Sequence, residues 1–145
     1  MEKNPLKNTN EMEQEIKDKI DLENFLIKNQ DSFAAQNMAD LFAEMIRTKK
    51  MSKAELARRA RTSEMYLYQV LSGKRIPTRD RFLCFCISLG YDAEETRSLL
   101  KRGRYADLYA RDRRDAIILF GLDKHWDLAK INDTLFEKGE KLLAK

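Results

Sequence analysis

Apolar residues recur at helical intervals along almost the whole chain. Met12, Ile16, Ile20, Glu23 and Ile27 fall on one stripe, and Leu22, Phe25 and Leu26 widen it. This predicts a first helix starting near Asn10, with Asn10 as its cap, Glu13 at the third helical position and acids crowding its first turn. Residues 1–9 show no periodicity and carry a proline, so they are expected to be frayed. Met38, Leu41, Phe42, Met45 and Ile46 repeat at i, i+3, i+4, i+7 and i+8. That spacing predicts a second helix over about Phe33–Lys49, capped by Asp31 or Ser32 and closed by Arg47, Lys49 and Lys50.

Two short patterns follow, Lys53–Ala60 and Glu64–Ser72, separated only by Arg61, Thr62 and Ser63. A gap that short fits a helix-turn-helix. Ser52 with Glu55 has the spacing of a capping box, and Ser63 is the cap candidate for the second helix. Leu56, Ala57 and Ala60 line one side of the first, and Leu67, Val70 and Leu71 one side of the second. Gly73 and Pro77 stop that helix ahead of Thr78, which is placed to cap a strongly apolar segment, Arg79–Leu89. Asp92 caps a further helix that buries Leu99 and Leu100 and ends at Gly103. Two more are predicted, about Arg111–Leu122 and Asp127–Lys138, with Ile117, Ile118, Phe120, Leu128, Ile131, Leu135 and Phe136 as core candidates. All five glycines then fall at predicted helix ends. The expected class is all-α.

Charge sharpens this picture more than its net value of +4 suggests. Residues 1–40 hold five Lys against nine acids, whereas residues 51–114 hold fifteen Lys or Arg against eight acids. The basic excess coincides with the helix-turn-helix, which points to a polyanionic partner. No run of 18 apolar residues and no apolar leader is present, so a cytoplasmic protein with no membrane segment is expected. Cys84 and Cys86 are the only cysteines. On a helix they point about 200° apart, so they cannot pair, and buried thiols are expected.

The run Ser52–Gly90 resembles the lambda-repressor-like (XRE-type) helix-turn-helix family. It carries Ser52, Glu55-Leu56-Ala57, Ser63, Gly73-Lys74-Arg75-Ile76-Pro77-Thr78 and Leu89-Gly90 in register with that family's landmarks. The resemblance implies a five-helix DNA-binding domain over residues 32–103, preceded by a flanking N-terminal segment (1–31) and followed by a C-terminal helical pair (104–145). It further implies a recognition helix over Glu64–Ser72 lying in the major groove of double-stranded DNA. On that placement Glu64, Met65, Tyr68 and Gln69 face base edges, while Lys53, Ser63, Lys74, Arg75 and Arg79 are the phosphate contacts. Gln69 is a good reading candidate, because a Gln amide can pair bidentately with adenine. Arg61 stands where the family often has Gly, so the turn is made without that residue's freedom.

The resemblance makes a transcriptional regulator acting as a homodimer the expected function, with the first helix covering either its own domain's flank or, preferably, a second subunit. The alternative is a repurposed protein-docking face built from Met65, Tyr66 and Tyr68, since exposed aromatic and Met side chains mark interfaces. Enzyme chemistry finds no foothold in the sequence. His125 is the only histidine, no nucleophile triad or Gly-rich phosphate loop accompanies it, and no metal or cofactor is expected. Arg111, Arg113 and Arg114 alternate with Asp112 and Asp115, which reads as salt bridging within that run.

Overall fold

The computed structural model of the protein describes residues 9–145. The described chain is all-helical, running α1 (Thr9–Lys28), α2 (Gln30–Lys49), α3 (Lys53–Arg59), α4 (Glu64–Leu71), α5 (Arg79–Ser88), α6 (Ala93–Arg102), α7 (Arg113–Asp123) and α8 (Leu128–Glu137). The frayed start expected over residues 1–9 lies, Thr9 apart, outside the described residues. None of the described helices is long and apolar enough to cross a membrane. The chain divides into two compact units, one ending at Ala34 and the other covering Ala35–Lys145.

In the first unit α1 follows the predicted stripe closely, yet no α1 residue is buried. The start of α2 departs from expectation. Asn29 N–H donates to the Phe25 carbonyl at 3.1 Å, and Phe33 N–H donates to the Asn29 carbonyl at 3.0 Å. Helical hydrogen bonding therefore runs through the junction, and Asp31 and Ser32 sit inside the first turn of α2 instead of capping it. Asp31 still contributes, as a negative charge at a helix N-terminus.

The second unit is organised around α5. All seven residues from Phe82 to Ser88 are buried, so this helix has no solvent face beyond its first turn. Phe85 packs on Phe42 of α2 with ring centroids 4.8 Å apart, and Phe82 packs on Tyr105 at the same distance. Met38, Leu41, Phe42, Met45 and Ile46 of α2 are all buried in the same core. Cys84 and Cys86 are buried free thiols within it.

Small polar side chains start six of the helices. Ser52, Ser63, Thr78, Asp92, Asp112 and Asp127 each accept a hydrogen bond from the amide three residues on. Only half of the capping box expected at Ser52 forms, because the Glu55 carboxylate turns to Arg58 and Arg59 instead. A complete box forms at Asp92 and Glu95.

Gly121 is also not where the pattern put it. It lies inside α7, and a Cβ there would sit 2.6 Å from Ile131 Cγ1 on α8. Its role is to let α7 and α8 approach closely, not to end a helix.

The Arg/Asp run is wired outward instead of internally. Arg79 and Asp80 at the start of α5 cross-pair with Asp115 and Arg114 of α7, at 3.2 Å and 3.0 Å. Arg113 instead donates to the Lys138 carbonyl, and Asp112 serves as the α7 cap. Arg114 also donates to the carbonyls of Lys141 and Leu142, and Asn132 accepts from Leu143 N–H, so the last residues are held down although they form no helix.

Candidate nucleic-acid interface

The candidate surface is built on α3, the turn after it, and α4. Leu56 and Ala57 of α3 and Leu67 and Val70 of α4 are buried, which fixes how each short helix is rotated. The turn between them is made with Arg61 in the left-handed region, at φ 55°. Thr62 N–H closes it by donating to the Ala57 carbonyl at 3.0 Å. Ser63 then caps α4 by accepting from Tyr66 N–H at 3.1 Å, which leaves its hydroxyl proton to donate elsewhere.

With Leu67 and Val70 turned inward, the opposite side of α4 is committed to solvent. Met65 is 64% exposed and Tyr68 52% exposed. Glu64 is exposed at the N-terminal turn, where its charge favours the helix dipole. Gln69 is half-buried, and Arg75 Nε donates to its side-chain oxygen at 2.7 Å. The backbone amides of Lys74 and Arg75 both donate to the Gln69 carbonyl, so the basic loop is folded back onto the end of α4.

Cations surround the two tyrosines. Lys53 Nζ stands 5.9 Å from the Tyr68 ring centroid. The guanidinium groups of Arg75 and Arg81 lie 5.7 Å and 4.5 Å from the Tyr66 ring. Tyr66 itself is half-buried, its ring 6.3 Å from that of Phe85. Burial pushes its hydroxyl above the usual tyrosine value, against the opposing pull of Arg81 and Arg75. The Tyr66 side chain thus packs back towards α5, which leaves Met65 and Tyr68 as the exposed pair of the proposed docking trio.

Of the phosphate candidates, Lys53, Ser63, Lys74 and Arg75 border α4 in sequence or in contact, whereas the Arg79 side chain is engaged within the protein. Its guanidinium donates to the carbonyls of Ala106 (2.9 Å) and Asp107 (2.7 Å) and to both Asp115 oxygens (3.4 and 3.2 Å). Arg81, two residues on, is exposed and donates to Thr62 Oγ1 at 3.3 Å, beside the turn that enters α4. Sequence reasoning missed it. The available signal was its position at N3 of α5, where a side chain points back over the turn ahead of the helix.

His125 sits exposed in the turn between α7 and α8 at φ 55°. No family model, no curated protein and no solved structure matches this chain.

Proposed function

We propose that this chain is a sequence-specific double-stranded-DNA-binding regulator of transcription, that α3 and α4 are a lambda-repressor-like helix-turn-helix, and that it acts as a homodimer. In this reading α4 enters the major groove. Glu64, Met65, Tyr68 and Gln69 meet base edges, and Lys53, Ser63, Lys74, Arg75 and Arg81 hold phosphate. It has no catalytic role.

The observation that carries the reading is the Gln69–Arg75 pair at 2.7 Å. A Gln that reads adenine must present its oxygen to N6 and its NH2 to N7 in one plane. Arg75 fixes the amide through one lone pair of the oxygen, leaving the second lone pair and both N–H donors for a base. The remaining guanidinium donors stay available for phosphate. A side chain locked before binding loses less entropy on binding.

Selection of bound sequences from a random duplex library, at near-physiological salt, tests this. Enrichment of a two-fold related motif supports both DNA reading and pairing. Folded protein that enriches nothing overturns the reading. The exposure of Met65 and Tyr68 favours one second reading, a protein-docking face. Under it Tyr68→Ala abolishes a protein complex and leaves DNA affinity as it was.

A further inference from the structure

Two exposed apolar surfaces of this chain differ in the charges beside them. The first is α1. Met12, Ile16, Ile20, Leu22, Phe25, Leu26 and Ile27 are all exposed, at 42% to 64%. Isolated helices of this length are marginal in water, and an apolar stripe on one is stable only when covered. Over Thr9–Lys28 there are six acids and three lysines. One of those acids, Glu23, falls within the stripe itself.

The second surface is a shallow groove of about 360 Å³ on the α7–α8 face. Arg113, Ile117, Phe120, Trp126, Thr134 and Lys138 line it. Phe120 is 53% exposed, and its ring meets Trp126 edge-on at 5.3 Å. Lys124 Nζ stands 5.5 Å from the Phe120 ring and Lys130 Nζ 4.6 Å from the Trp126 ring. Lys124, Lys130 and Lys138 thus stand around an aromatic floor, while Arg113 at its edge is paired with Glu140 at 3.7 Å.

We propose that α1 of a second copy of this chain occupies the α7–α8 groove, and that the two copies exchange their first helices reciprocally. Charge chooses this occupant over a simple α1–α1 pair. Two α1 helices would bring like net charge together and place Glu23 in an apolar seam. In the groove, the acids beside the stripe meet Lys124, Lys130 and Lys138, and the Ile and Phe side chains cover the aromatic floor. A partly exposed Trp is also among the residues that energetic hot spots favour. Reciprocal exchange closes the assembly on a two-fold axis, so no sticky face is left to propagate. The proposal does not rest on DNA binding.

The test is the mass of the full chain in solution over a range of concentrations, by sedimentation equilibrium. The expected wild-type species is a dimer. Ile16→Glu with Ile20→Glu, and separately Lys130→Glu with Lys138→Glu, should each weaken it at least ten-fold, with helical circular dichroism and melting of the Ala35–Lys145 unit retained as the folding control. Combining the Lys130→Glu/Lys138→Glu chain with a Glu13→Lys/Glu23→Lys chain should restore pairing between the two species. A monomer at every concentration overturns the proposal. So does a dimer that is lost with the α1 changes but survives the groove changes in a folded protein, because that is α1–α1 pairing.

Discussion

On the proposed DNA-binding reading, Arg79 offers the sharpest separation between a residue that holds the fold and one that would hold DNA. Its side chain is 24% exposed and that of its partner Asp115 only 9%. Arg79→Ala removes two carbonyl contacts and leaves the Asp115 carboxylate with Tyr109 N–H as its remaining neighbour on that side, at 3.0 Å. Removing one partner of a fully buried pair costs about 3–5 kcal/mol. Partial exposure of Arg79 lets water screen some of that loss, which brings the expected cost to about 3 kcal/mol. For a unit of this size each kcal/mol moves the melting midpoint by roughly 3–6 °C, so a fall of about 10–15 °C is expected.

Arg79→Ala/Asp115→Ala should cost less than the sum of the single changes, since neither charge is then stranded. Arg81→Ala is the control. It should leave the melting midpoint within about 2 °C, because exposed contacts contribute little, and should lower the salt dependence of DNA binding by about one phosphate contact. Both variants are to be read by thermal unfolding and by DNA affinity across salt concentrations. If Arg79→Ala melts like wild type and instead loses one phosphate contact, the clamp described above is not what Arg79 is for.

Four further outcomes are expected. Lys74→Ala with Arg75→Ala should weaken binding to every duplex and flatten the salt slope by about two, read by fluorescence anisotropy at several salt concentrations. Gln69→Ala should relax preference at one base pair by about 1–3 kcal/mol, and Arg75→Ala should partly reproduce that loss because it frees the amide. Arg61→Gly should raise stability by about 0.5–1 kcal/mol in denaturant titrations, since a non-Gly residue in the left-handed region costs about 1–2 kcal/mol and glycine's added chain entropy returns part of that. Burial, followed by the Asp80 carboxylate, pushes the Cys84 thiol up to about 12. A thiol raised in the folded state leaves stability intact below its unfolded value near 8.5 and erodes it as pH climbs from there towards 12. Melting midpoints should therefore decline from about pH 8.5 upward, and Cys84→Ala should make that decline shallower without abolishing it, because burial pushes the Cys86 thiol up as well.

The elements most legible in the sequence were those whose signal is local. A small polar residue followed by apolar helical spacing marked the caps at Ser52, Ser63, Thr78 and Asp92, and each accepts the expected amide. What failed depended on distant partners. Gly121 carries the same local signature as a helix-ending glycine, and only Ile131, ten positions on, reveals it as a close approach. Arg79 and Arg81 are alike in sequence, yet Asp115, 36 positions beyond Arg79, draws one inward and leaves the other beside the turn. Asp31 and Ser32 have cap chemistry, but it is unused because the helical ladder already continues through Asn29. Glu55 had two arginines within one turn to satisfy as well as an amide, and a charged donor outcompetes a neutral one.

These distant partners also change the standing of residues 104–145. Tyr105 donates its hydroxyl to the Pro77 carbonyl, at the end of the basic loop that carries Lys74 and Arg75. Asp115 and Arg114 neutralise Arg79 and Asp80 just beyond that loop. Ala106 and Asp107 supply the carbonyls that orient the Arg79 guanidinium. The loop beside α4 is therefore braced on its far side by the C-terminal segment, and α5 is its rigid link to the core. In the proposed DNA-reading role, α4 needs side chains held to within a fraction of an ångström, and that demands support behind the contacts. Here the support comes from outside the run that resembles a helix-turn-helix. The segment beyond Gly103 is thus part of the body that presents α4, not an appendage to it.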